Sequence, residues 1–283
     1  MSNSFAWPLT CKREQTVTLK ANNFCTRQVS TRLSPIDELF RQFRNILPLG
    51  TPDALSNNDV LGRILLLGIV SGADTYFRTI LASLLNLCPI SRSHAAPQTL
   101  PFGALDYYDK DEIGLGLLEG ISFATEGELL KATRKITRIE WDPQKSSVGV
   151  AISQFESLAQ FRHAAVHASG RIGQRNMSAI GLSLASQSLV VRFSELQHAA
   201  EVTVNAVRAY NQFMFQKIIE RWVIQGQLTG DSAQDFALTK SLVRLFCSRQ
   251  EGLGRRGYTA HVCNVVIPKA KAAMRPKPAT APP

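Results

Sequence analysis

The chain has 283 residues, 45% of them hydrophobic and 19% charged, with a formal net charge of +10. That much apolar material supports one large domain or two small ones and excludes a disordered or fibrous chain. The longest apolar run, Ile64 to Val70, lies between Arg63 and Asp74 and falls short of the ~20 residues that span a bilayer, so no membrane segment is expected.

The first 34 residues carry five basic side chains and one acidic one. Within them TVTLKANNF alternates weakly, as a short strand or an irregular arm does. No basic stretch leads into an apolar one at the N-terminus, so a cytoplasmic protein is expected. Ser34-Pro35 supplies an N-cap and a proline at the first helical position. Ile36, Leu39, Phe40, Phe43, Ile46 and Leu47 follow at helical spacing, predicting an amphipathic helix that Pro48 and Gly50 stop. A longer helix is predicted from about Asn58 to Cys88, apolar nearly all round except at Arg63, Asp74 and Arg78. Such a helix is central and buried, or covered by a partner subunit.

Ser91 to Phe102 reads as a loop, short helices fit 110–122 and 126–139, and Asp142-Pro143 breaks the pattern. The next helix spans about Ser147 to Ser169 and stops at Gly170. Residues 171–188 read as loop, Leu189 to Phe193 as a short strand, and Ser194 as the cap of a long helix from Glu195 to about Gln225. A last helix, Ser232 to about Cys247, precedes a tail of Gly, Pro, Arg and Lys. Its end, KAKAAMRPKPATAPP, is expected to be disordered. The fold class is mainly α, an up-and-down bundle of four to five helices with extra terminal segments. Three parts are expected: residues 1–50 as a basic arm with a short helix, 51–228 as the bundle, and 229–283 as a C-terminal helix with a basic, largely disordered tail.

The five cysteines form no CxxC pair, so neither a disulfide framework nor a zinc site is expected. Charge is uneven along the chain. Residues 237–283 carry nine basic side chains and one acidic, whereas 35–236 carry 18 against 20. The basic flanks are therefore expected to aid capture of a polyanion. Removing residues 252–283 is expected to weaken that capture without abolishing chemistry.

The segment with chemical potential is Arg162-His163-Ala164-Ala165-Val166-His167. It puts an obligate cation and two titratable imidazoles within two helical turns. Arginine grips phosphate oxygens with a planar fork, and histidine can take and give a proton near pH 7. Cleaving RNA without metal needs those groups: one to deprotonate the 2′-OH, one to protonate the leaving 5′-oxygen, and a cation for the crowded phosphorane. One imidazole hardly serves both sides, so a second histidine or a second subunit is expected to help. The spacing alone recurs by chance; its placement adds weight, because Arg162 falls within the apolar stripe marked by Ile152, Phe155, Leu158, Ala159, Ala165 and Val166. A charge there is either paired with a core carboxylate or opens on a pocket or interface, and both readings stand.

FRHAAVHASG resembles the hallmark of the HEPN superfamily of helical ribonucleases, an arginine, a polar residue, several residues and then histidine near a helix end. GADTYFRTILASLL is similar to the family's preceding long helix, and VNAVRAYNQFMFQKIIERW to its closing one, so the resemblance covers residues 55 to 225. It implies a homodimer whose two Arg-His segments face each other in one composite, metal-independent endoribonuclease site, with no cofactor, leaving a 2′,3′-cyclic phosphate. On that basis Arg162 would bind and polarise the scissile phosphate, His167 would transfer the proton, and His163 would assist. The resemblance also implies a toxin or antiviral-defence role, with RNA as target and a cognate antitoxin or defence-system partner. The alternative is an inert module that binds RNA or a protein through the same dimer.

Three further assignments have two readings each. Asp74 either orients Arg162 across the bundle or pairs with Arg78 one turn on. Arg171 and Arg175 either meet an RNA backbone or are solvated loop charges. The His163 and His167 pair also fits H-x-x-x-H, but the glutamate of HExxH metalloproteases is absent and no third ligand lies nearby, so no metal is expected.

Overall fold

A computed structural model describes residues 17–26, 31, 33–167, 169–182 and 187–274, with residue 167 as main chain alone. The described residues from Leu33 onward form one compact unit, and those before it fall in a separate one. Among the described residues of that first unit there is a single 3-10 turn, Ala21–Phe24, and no strand.

The first helix of the main unit, Pro35–Ile46, starts where its sequence says it should, with the Ser34 hydroxyl accepting from the Asp37 N–H at 3.3 Å. It lies on the central helix, Asp59–Leu87, capped by Asn58, whose Oδ1 accepts from Leu61 N at 2.9 Å. The central helix is long and apolar enough to cross a membrane, but half of its most apolar window is buried inside the bundle. Leu65, Leu66, Ile69, Val70, Tyr76, Phe77 and Ile80 are the core onto which the other elements pack. Next come Glu126–Thr137, the Ser147–His167 helix that carries the Arg-His motif, and the long Phe193–Ile224 helix. These helices meet at Phe77, whose ring lies 5.2 Å from Tyr210 and 5.9 Å from Phe155, both edge-on. The Tyr210 hydroxyl shares a 2.8 Å hydrogen bond with Thr133, which ties in the fourth helix.

The segment over 189–193 is not a strand. Among the described residues there is only one isolated bridge, Arg171 with Ser188, so the apolar alternation there has no partner strand to pair with. The long helix instead begins at Phe193, two residues earlier than predicted, because Glu195 reaches back to accept the Arg192 N–H at 3.1 Å. Two stretches read as loop contain short helices, Pro89–Ala95 and Gln174–Ala179. The first follows directly from the central helix, with Cys88 as its cap. There the Cys88 sulfur accepts from Ser91 N at 3.4 Å, from Trp222 Nε1 at 3.1 Å and from Arg221 at 3.2 Å.

The C-terminal region also differs from expectation. After the Ser232–Phe246 helix and a glycine-rich loop, the chain is helical again from Tyr258 to Ala273. Val262 and Cys263 are buried there against the Ser232–Phe246 helix, and Ile267 against the long helix. Five of the fifteen residues expected to be disordered, 269–273, therefore lie in a packed helix, while 275–283 lie outside the described residues. Truncation at residue 252 would uncover this core, so it cannot serve as a test of a dispensable basic tail.

Asp37 joins the two ends of the unit. Its buried carboxylate accepts from Ser248 Oγ at 2.6 Å and Arg249 N at 3.0 Å, and its carbonyl from Gln250 Nε2 at 2.9 Å. Asp37→Ala leaves those donors without partners, and unmet buried donors cost ~1–3 kcal/mol. We expect this variant to melt several degrees lower by calorimetry; an unchanged melting temperature would mean that water replaces the carboxylate.

Candidate active site

Ile152, Phe155 and Ala159 of the motif helix are buried, and Arg162 follows three residues after Ala159 on the same face. The guanidinium thus leaves the core where the stripe reaches the surface, and Arg162 is half-buried. Val166, assigned to the same stripe from sequence, is instead 51% exposed, and Ala164 is buried in its place. Arg162 lines a cleft of about 320 Å³ between the central helix, the 119–122 loop and the motif helix, together with Ser71, Asp74, Arg78 and Phe155.

Asp74 does not hold Arg162. Its Oδ2 takes Arg78 at 2.8 Å and its Oδ1 takes the Phe123 N–H at 2.8 Å. Arg78 is equally committed, donating to the Ile121 carbonyl at 2.6 Å and to that of Leu118. The pair therefore staples the 118–123 loop to the central helix and builds one wall of the cleft. The i, i+4 reading is the one realised, because one turn of helix brings the two charges together more cheaply than a reach across the bundle. Among the described residues Arg162 makes no hydrogen bond or ion pair of its own. Of the two readings of a charge on that stripe, opening on a pocket is what the geometry gives.

His163 is exposed, one helical step of about 100° from Arg162. His167 is the last residue of the helix, at the position four after His163, and its side chain lies outside the described residues. The chain therefore presents Arg162 to the cleft and His163 to solvent rather than converging them. Arg171 and Arg175 are both exposed. Arg171 sits in the isolated bridge, while Arg175 belongs to the short helix pinned to the motif helix by Asn176 Nδ2 on the Gln160 carbonyl at 3.3 Å. Arg175 is thus on an ordered helix rather than in a loop.

The end of the motif helix is fixed by backbone. Gly170 N donates to the Ala164 carbonyl at 3.0 Å, and the Gly170 carbonyl accepts from Leu189 N at 2.7 Å. Gly170 has φ +97, and a β-carbon there would come within 2.5 Å of Arg63 Nη1. Arg63 thus packs against the end of the motif helix, and among the described residues it too makes no hydrogen bond or ion pair. Sequence reasoning did not assign it to the site. The available signal was a lone arginine in an otherwise apolar stretch of the central helix.

Among the described residues no three His, Cys, Asp or Glu side chains come together as metal ligands. Comparison with protein-family models, curated proteins and solved structures gives no match to this chain.

Proposed function

We propose that the protein is a metal-independent endoribonuclease, acting as a cytoplasmic homodimer in a toxin or antiviral-defence setting. The observation that carries this reading is Arg162, a half-buried guanidinium on the cleft wall with no ion pair or hydrogen bond among the described residues. A buried or half-buried cation kept without a partner is costly unless an anion is to meet it, and a phosphodiester fits its fork. In the reaction the 2′-oxygen attacks the adjacent phosphorus, its proton passing to one imidazole. The 5′-oxygen leaves with a proton from another, and Arg162 offsets the charge on the phosphorane. His163 and Arg162 diverge within one chain, so two protomers would supply the complementary groups, with His167 as the principal proton-transfer group. Asp74 supports the site indirectly, through the wall it builds with Arg78. Arg63, Arg171 and Arg175 would add positive potential for the strand.

Apolar surface beside the motif supports the dimer. Val60 and Ile64, one turn apart on the central helix, are 57% and 56% exposed and bracket Arg63, and Val166 is exposed next to His167. Ile64→Glu is expected to shift sedimentation to monomer and to abolish cleavage together; a monomeric variant that still cleaves would contradict a composite site.

The test of the function is incubation of purified protein with structured RNA in EDTA, beside His167→Ala. Cleavage lost in the variant supports the enzyme, and equal background in both contradicts it. Salt-sensitive binding without cleavage would leave an RNA-binding module, and cleavage only on adding zinc would assign the chemistry to a metal.

A further inference from the structure

A second concave site lies away from the motif, between the Ser232–Phe246 helix and the glycine-rich loop after it. Its volume is about 510 Å³, in the ~300–1,000 Å³ range of ligand sites. Phe236, Lys240 and Arg244 line it from the helix, and Arg249, Arg255 and Arg256 from the loop. The helical three are spaced by four residues and so run along one face. Gly254, at φ +66, lets the loop close against Cys247, with a β-carbon position 3.2 Å from Cys247 Cβ. Burial pushes the Cys247 thiol up to about 11, so this wall adds no negative charge near neutral pH.

The charges are the unusual part. Five cations face one groove, no carboxylate lines it, and among the described residues none of the five side chains makes a hydrogen bond or ion pair. The acids nearby are spent elsewhere. Asp37 takes Ser248 and Arg249 N, Glu251 takes Arg208 Nε at 2.9 Å, and Asp235 takes the N–H groups of Thr229 and Gly230 at 2.9 and 2.8 Å. Like charges at i, i+4 and in adjacent loop positions repel one another, and a polyanion relieves that repulsion. Phe236 distinguishes among polyanions. It is 43% exposed on the same face, and an open ring among cations offers a stacking surface, which nucleobases use and acidic side chains do not.

We infer that this groove binds single-stranded nucleic acid, with Lys240, Arg244, Arg249, Arg255 and Arg256 on successive phosphates and Phe236 stacked on a base. RNA is the natural ligand if the cleavage reading holds, but the groove's binding does not depend on it. The experiment uses the full chain and a fluorescent 2′-O-methyl RNA 12-mer, which cannot be cut by 2′-OH attack, so binding is read whether or not the protein is a nuclease. Anisotropy across a salt series should show Lys240→Gln/Arg244→Gln at least tenfold weaker than wild type, with the log–log salt slope reduced by about 1.4, ~0.7 per lost phosphate contact on a single strand. Phe236→Ala should weaken binding roughly tenfold with the slope unchanged. All three substituted positions are exposed, and matching melting temperatures will show that the variants fold. Both variants binding like wild type would overturn the groove whatever the cleavage assay shows. Equal or tighter binding of a labelled poly-glutamate 12-mer, insensitive to Phe236→Ala, would overturn it in favour of an acidic protein segment.

Discussion

Arg162→Ala is expected to lower RNA cleavage by roughly 10²–10³-fold, the usual loss when one donor to a developing oxyanion is removed. Fold and stability should be nearly untouched. Among the described residues Arg162 has no hydrogen-bond partner to orphan, so only the packing of its aliphatic stem is lost, on the order of 1 kcal/mol or less. That asymmetry separates a catalytic role from a structural one. Arg78→Ala on the same cleft would release the Asp74 carboxylate and the 118–121 carbonyls, lowering the melting temperature as well as activity. Arg162→Lys should restore part of the rate, because it keeps the charge and loses the fork. Initial rates on a fixed RNA, beside melting curves of all three variants, check this. An Arg162→Ala protein that unfolds would place the residue in the core after all.

Phe77→Ala should be the most destabilising single change in the bundle. The ring is fully buried and meets Phe155 and Tyr210 edge-on at 5.9 and 5.2 Å, so it locks the central helix to the motif helix and the long helix at one point. Emptying that site costs about 3–5 kcal/mol from transfer and cavity terms together. In a unit of this size roughly 2–4 °C is lost per kcal/mol, giving a fall of roughly 6–20 °C. Activity should fall further than the unfolded fraction explains, because Phe155 both packs on Phe77 and lines the cleft with Arg162. Thermal denaturation with activity measured well below the transition tests both parts. A drop under 2 °C would mean that the core collapses to fill the gap.

The helices that sequence located well are those with local punctuation. Ser34-Pro35, Asn58 and Gly170 bound their helices by hydrogen bonds and dihedral preferences that act within a few residues. Misread segments depend on distant partners. Val262, Cys263 and Ile267 give no clean period, since a π turn over Val262–Val266 shifts the register, and their burial is visible only against the Ser232–Phe246 helix and the long helix. Leu189 and Val191 looked like strand residues, yet they are buried in irregular chain before the long helix, with the Val191 carbonyl seated over Gly62 of the central helix. At the site, the stripe position of Arg162 was legible from spacing. Whether Asp74 pairs with Arg78 or Arg162 was not, because both geometries suit the sequence. Arg63 was visible as a lone charge, but its place under Gly170 needed the fold.

The most direct test of the central claim is the chemistry of the products. Full-length protein treated with EDTA should be incubated with a defined RNA and the new 3′ ends identified by mass spectrometry. Attack by the 2′-oxygen predicts 2′,3′-cyclic phosphate ends formed without added metal. New ends carrying a 3′-hydroxyl, or cleavage that appears only when a divalent ion is restored, would contradict it.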